Sequence, residues 1–175
     1  MSLFIAYSVP DCGEDLIAHA KELSASSANG GSPADYGYLS SSSYWATDST
    51  GPQWWQADLE TADGRYSVMK INSVLTQGSS AGWIINYFLR FSRDGQHWFG
   101  HYDGDGLLKV NVLDFRRILD PQIFLLLQLL SGNSDANTII SHNIGPYYAR
   151  FVRFYPQAYS IKITGRFRVK GCPSK

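Results

Sequence analysis

From Ser160 to Lys170 the chain alternates without a break. Ile161, Ile163, Gly165, Phe167 and Val169 fall on one side, and Lys162, Thr164, Arg166 and Arg168 on the other. Period-two patterning of this kind marks a half-buried β-strand. A second strand-like run, Tyr148–Tyr155, precedes it, with the join expected around Pro156. The alternating run ends at Cys172, and the only other cysteine, Cys12, stands near the opposite end of the chain.

The rest of the composition agrees with an all-β chain. At 175 residues there is room for one domain with a sizeable core, or one domain with an insertion. Aromatic residues make up 14% of the sequence, and flat rings pack well on a pleated surface. Fifteen basic residues balance fifteen acidic ones, so the surplus of positive charge that nucleic-acid binding requires is missing. The basic residues near the C-terminus (Arg150, Arg153, Lys162, Arg166, Arg168, Lys170) read as strand-face charges or ion-pair donors.

Two cysteines allow two free thiols in a reducing compartment or one disulfide in an oxidising one. Their placement at the two ends of the folded region favours a bridge, which would stabilise by about 4–5 kcal/mol in the chain-entropy model. Leu3–Val9 is apolar but short for a signal peptide, so residues 1–11 read as an N-terminal extension or leader remnant. Residues 173–175 form a tail.

Several segments carry recognisable turn and strand signals. Glu14–Leu23 has helix-like composition, with Leu16, Ile17, Ala20 and Leu23 near one face. Ser24–Ser43 is rich in Ser, Gly and Ala and reads as a strand edge followed by surface loop. Trp54–Glu60, Val68–Gln77, Trp83–Ser92 and Trp98–Tyr102 read as strands, the last two joined by an Arg93-Asp94-Gly95-Gln96 turn. Leu107–Leu130 is the atypical piece. Within it Asp120 is placed to cap a short apolar helix starting at Pro121 and ending before Gly132, too short to match the ~20 residues of a membrane span.

Catalytic signals are sparse. His19, His97, His101 and His142 show no paired metal-ligand spacing, and no nucleophile elbow, phosphate loop or dinucleotide fingerprint occurs. No cofactor is expected. Asp103, Asp105, Asn133 and Asp135 carry oxygens of a kind that suits Ca²⁺, although acids among glycines are ordinary turn chemistry. The chain reads as a non-enzyme.

In chain order, the motifs resemble those of the discoidin domain, also called the coagulation factor V/VIII type C domain. They are Cys12, SASS at 24–27, Trp45, WWQADLE at 54–60, INSVLTQG at 71–78, Tyr87 with FSRDGQHW at 91–98, GNSDANT at 132–138, ARFVRFYPQAY at 149–159 and RFRVKGC at 166–172. The resemblance covers residues 12–172, with Leu107–Leu130 as an atypical insert. It implies a jelly-roll-like β-sandwich or barrel of about eight strands, closed by a Cys12–Cys172 disulfide, in this chain with a short helical insertion.

The resemblance further implies an extracellular, secreted or cell-surface module that binds phospholipid, collagen, glycan or a protein partner through loops at one end. Those loops correspond to Asn29–Tyr36, Ala46–Gly51 and Ser79–Ile84. The expected ligand-binding residues are Asn29, Ser32, Tyr36, Thr47, Asp48, Ser79, Ser80, Trp83 and Ile84, with Trp83 and Ile84 as apolar tips for peripheral membrane contact or a protein hot spot. Arg150, Arg153 and Arg166 correspond to framework arginines, expected to donate to ion pairs, with Asp58 the first candidate carboxylate. The Arg-x-Asp motif of fucose-binding relatives is missing. Two alternative functions are assembly through the apolar insert and a lectin-like module of a larger enzyme.

Overall fold

A computed structural model describes residues 12–101 and 128–174. The predicted Asp120-capped helix and the Asp103/Asp105 turn lie outside the described residues. In chain order the strands are β1 (Glu14–Asp15), β2 (Ala20–Ala25), β3 (Trp45–Thr47), β4 (Trp55–Thr61), β5 (Met69–Gln77) and β6 (Trp83–Ser92). They continue with β7 (Trp98–Gly100), β8 (Leu130–Ser131), β9 (Ile139–Ala149), β10 (Phe151–Ser160) and β11 (Ile163–Pro173). Two antiparallel sheets pack face to face. In one, β5 lies between β9 and β11, and β11 also pairs with β1 and β3. The other runs β2-β4-β10-β6, with β7 and β8 both on the far side of β6.

The inward-facing residues of both sheets meet in an aromatic centre. Trp45, Trp55, Tyr87, Phe91, Phe154 and Phe167 are fully buried. Phe167 stacks on Trp55 and packs against Phe154, each at a centroid distance of 4.6 Å. Trp55 comes from β4, Phe154 from β10 and Phe167 from β11, so this trio joins the two sheets.

Cys12 and Cys172 are disulfide-bonded with 4.6 Å between their Cα atoms, and the bridge spans a sequence separation of 160. Beside it, β1 pairs with the end of β11 through Glu14↔Gly171 and Asp15↔Lys170. The described N-terminal and C-terminal segments therefore meet at one end of the sandwich.

Three sequence expectations are corrected by tertiary pairing. The helix-like segment Glu14–Leu23 instead forms β1, a 3₁₀ turn at Ile17–His19 and the start of β2. Burial of Leu16 and Ile17, a bond from the Leu16 N–H to Val169 O at 2.9 Å and the pairing of β2 with β4 outweigh a weak local helix preference. Pro156 does not make the turn between the last two strands. It lies within β10 opposite Tyr87, beside a register shift and beyond the Phe151–Phe154 stretch that pairs with β4. The expected strand Tyr148–Tyr155 divides at Arg150, where the chain passes from one sheet to the other.

Arg150 explains that division. Its backbone N–H donates to Ser92 O at 2.9 Å and its carbonyl accepts from Leu59 N–H at 2.8 Å. Its guanidinium grips both oxygens of the buried Asp58 carboxylate at 2.8 and 2.7 Å and reaches Glu60 at 2.9 Å. This planar fork holds the corner between β9 and β10. The hydrogen bonds to Asp58 push the Arg150 guanidinium's pKa above its ordinary value.

The hairpin from β6 to β7 follows its sequence signal. Gly95 takes φ = 75°, a left-handed conformation that suits glycine. Asp94 organises the turn by accepting from the Gln96 and His97 N–H groups, both at 2.8 Å.

Candidate ligand-binding site

At the end of the sandwich opposite the disulfide, four connections converge: 48–54, 78–82, 132–138 and 160–162. The stretch 29–32 joins them, because Asn29 N–H donates to Ala46 O at 2.9 Å and Ala46 N–H to Ser32 O at 3.1 Å. Tyr36, farther along that loop, is 44% exposed. Ser32 and Thr47 are buried, so they shape the loops from beneath.

Gln53, a residue without a recognisable sequence signal, organises the 48–54 connection. It is buried, and its carbonyl accepts from the hydroxyls of Ser26 at 2.7 Å and Ser27 at 2.5 Å. Its amide donates to Ser49 Oγ and Pro52 O, each at 2.9 Å. The Thr47 hydroxyl shares a 2.6 Å bond with Ser27 and accepts from Ser49 N–H at 3.1 Å. Five polar side chains in mutual contact fix a loop that composition alone would leave floppy. Asp48 projects from it and pairs with Lys162 Nζ at 2.5 Å.

The 78–82 connection is a tight turn, with Ser79 N–H donating to Gly82 O at 2.8 Å and Gly82 N–H to Ser79 O at 3.2 Å. Buried Ser79 Oγ shares a 3.0 Å bond with Thr164 Oγ1, which ties the turn to β11. Gly82 has φ = 143°, and a Cβ there would collide with the Ser160 carbonyl, so glycine is required. Ser80 is exposed and Trp83 half-buried. Ile84 is only 2% exposed: it points into the core. The expectation of a Trp83–Ile84 tip is therefore corrected, because alternation along β6 turns Ile84 inward.

The most exposed apolar side chain at this end is Ile161. It is 79% exposed and occupies the turn between β10 and β11. The sequence alternation had counted it among the inward residues, but pairing of β11 with β3 begins only at Ile163. Ser160-Ile161-Lys162 contains no glycine, asparagine or proline, and Ser160 alone is a weak turn signal.

The framework arginines divide into different roles. Arg150 has its carboxylate, Asp58. Arg153 is sandwiched between the rings of Trp54 at 4.2 Å and Trp98 at 3.9 Å, and it donates to Gln56 Oε1 at 2.6 Å. Arg166 donates to the Gly78 carbonyl at 3.3 and 2.9 Å, which supports the base of the 78–82 turn. For these two, cation–π stacking and a carbonyl take the place of the expected ion pair.

Loop 132–138 uses its polar atoms internally. Buried Asn133 donates to Thr76 O at 3.3 Å and Thr138 O at 2.6 Å. Asp135 accepts from Thr138 N–H at 2.6 Å, the Thr138 hydroxyl at 2.7 Å and Asn137 N–H at 2.7 Å. These oxygens close a turn, the ordinary reading of this polar stretch, and both Asp135 oxygens accept hydrogen bonds within the loop. Among the described residues, no three His, Cys, Asp or Glu side chains gather into a metal-binding group.

Hydrogen bonds of this kind lower the pKa of two aspartates. Asp94 is held below the usual carboxylate range, first by the His97 N–H and then by its imidazole. Asp135 is held low by the Thr138 N–H, then its hydroxyl. A depressed folded pKa stabilises above the unfolded value of about 3.9, and that contribution is lost as pH falls through the folded pKa. In an NMR pH titration, the His97 and Thr138 amides are expected to move with midpoints below about 3.9. In Asp94→Asn and Asp135→Asn the corresponding transitions should vanish. Midpoints at the ordinary value would contradict these contacts.

The residues matched by the F5/8 type C domain family model, 22–169, span most of the chain. The chain belongs to this family. In sequence, this F5/8 type C domain is 29% identical over 125 residues to EGF-like repeat and discoidin I-like domain-containing protein 3 of Mus musculus. That match covers 69% of the chain but 21% of the mouse protein, so the domain corresponds to about a fifth of that relative. In structure it resembles wild-type discoidin II from Dictyostelium discoideum, with a TM-score of 0.65 and 20% identity, covering 88% of this chain and 55% of that one. It also resembles chitosan-binding module 1 of a chitosanase/glucanase from Paenibacillus sp. IK-5, at a TM-score of 0.59 and 19% identity, over 90% and 99% of the two chains. These structural likenesses establish the shared β-sandwich of the F5/8 type C domain. Among the described residues no helix is long and apolar enough to cross a membrane.

Proposed function

We propose that this F5/8 type C domain is a non-catalytic recognition module of an extracellular or cell-surface protein, and that it holds its ligand at the loop end. The carrying observation is the convergence of pre-organised loops opposite the disulfide, with Asp48, Ser80 and Tyr36 exposed and Trp83 half-buried at the start of β6. The buried Gln53 network and the Arg166–Gly78 contact support this reading, since a rigid site loses less entropy on binding. The disulfide supports an oxidising location. Glycans belong among the ligand candidates because a structural neighbour is named a chitosan-binding module, alongside phospholipid and protein.

The test is a binding screen on immobilised glycans, phosphatidylserine and phosphatidylcholine vesicles, and extracellular-matrix proteins, with and without Ca²⁺. For any probe bound by the wild-type domain, Asp48→Ala combined with Trp83→Ala is expected to weaken binding at least about tenfold. A control at the other end, Asp63→Ala with Arg65→Ala, should leave it unchanged. The reverse pattern would place the site elsewhere.

A further inference from the structure

Ile161 combines two unusual properties. Among the described residues it alone, apart from glycines, has positive φ, at 67°. It is also the most exposed large apolar side chain among them. Lys162 N–H donates back to Ser160 O at 2.7 Å, so Ile161 is the central residue of a three-residue turn of the rare, strained positive-φ kind. A β-branched residue is a clear outlier at positive φ, where asparagine is enriched and glycine meets no steric cost. Nothing in the core requires isoleucine here, because the side chain is 79% exposed.

The surroundings hold the strained turn in place. Lys162 is tied to Asp48 in the 48–54 connection. Gly82 lies so close beneath the turn that a side chain there would strike the Ser160 carbonyl. Ser160 pairs with Trp83 across β10 and β6. The turn is thus braced by two neighbouring loops, which fixes the backbone from which one aliphatic side chain projects.

We propose that Ile161 is the apolar anchor of a protein-docking site at the loop end, received by a pocket on a partner protein. This deepens the binding reading given above and rests on it. Three observations select a protein. An aliphatic tip offers a sugar no hydrogen bond. One projecting isoleucine, with the half-exposed Tyr36 and Ile139 elsewhere on this end, is a weak membrane anchor, because stable attachment takes more than one strong signal. Finally, the loops at this end carry Asp35, Asp48 and Asp135 against Lys162, whereas an anionic bilayer attracts clusters of basic residues. A single rigid side chain with a polar rim matches the hot-spot anatomy of protein interfaces. The same charges favour a partner whose pocket is bordered by basic groups.

The test couples stability to binding through Ile161→Asn, which removes the apolar tip and the β-branch at positive φ. Thermal unfolding should rise by about 2–4 °C, as expected for a relief near 1 kcal/mol in a domain this size. Binders are then selected from a nanobody library on the wild-type domain and measured against Ile161→Asn, Asp48→Ala and the remote Asp63→Ala. Most independent binders are expected to centre on the turn and lose at least about tenfold in affinity with Ile161→Asn. Binders weakened by Asp48→Ala but indifferent to Ile161→Asn would overturn the anchor and leave the loop-end reading intact. Binders affected only by Asp63→Ala would count against both. Direct binding of the wild-type domain to phosphatidylserine or phosphatidylcholine vesicles, lost in Ile161→Asn, would reassign the anchor to lipid and overturn the protein assignment. A lowered melting temperature in Ile161→Asn would remove the strain argument and overturn the proposal.

Discussion

Phe167→Ala is expected to lower the unfolding free energy by about 3–5 kcal/mol, read as a fall in the denaturant midpoint at constant slope. Phe167 is fully buried on β11 and contacts Trp55 and Phe154 of the facing sheet at centroid distances of 4.6 Å. It also approaches Trp45 of β3, at 6.2 Å. Truncation would leave a void bounded by three large rings that cannot all move inward, since each packs elsewhere in the core. Aromatic pairing adds about 0.5–1.5 kcal/mol beyond burial. A loss under about 1 kcal/mol would show that this ring does not join the sheets.

Removing the disulfide through Cys12→Ser and Cys172→Ser is expected to cost about 2–5 kcal/mol. A sequence separation of 160 gives a large loop-closure contribution, near the top of that range in the chain-entropy model. The effect should be on stability rather than on recognition. The bridge sits by β1 and the end of β11, whereas the candidate loops lie at the opposite end of the strands. Chemical denaturation and loop amide spectra of the double variant should therefore separate, with a reduced midpoint and unchanged loop resonances. Unchanged stability would contradict the structural role of the bridge.

Much of the fold was legible because its determinants are local or occur in motif order. β6 occupies Trp83–Ser92, as its apolar pattern indicates, and the Asp94–Gly95 turn follows it. The Arg150–Asp58 fork matches the pairing that the resemblance implies, whereas Arg153 and Arg166 find other partners. Features governed by distant partners were harder to read. Glu14–Leu23 has a helix-like pattern, yet β2 follows its pairing with β4. Arg153 depends on Trp54 and Trp98, residues remote in sequence that only the folded sheet brings around it.

The candidate site was legible as a set of loops and less so as a set of contacts. Asp48, Ser80 and Tyr36 reach solvent, whereas Ser32, Thr47, Ser79 and Ile84 are buried. Ile161 fits the period-two alternation of an inward residue, and the single Ser160 is too weak a turn signal to break that pattern. Register decides the matter: β10 ends at Ser160 and β11 begins at Ile163. Gln53 escaped notice for a related reason, as its partners Ser26 and Ser27 lie across a long loop.

The claim that recognition occurs at the loop end is tested most directly by amide hydrogen exchange on the wild-type domain. The measurement compares the free domain with the domain saturated by the strongest probe from the glycan, vesicle and matrix-protein screen. Protection is expected to concentrate in 48–53, 79–82 and 160–162, with the disulfide end unchanged. Protection confined to β1, the 62–68 connection or the Cys172 end, with these three loops unaffected, would contradict it.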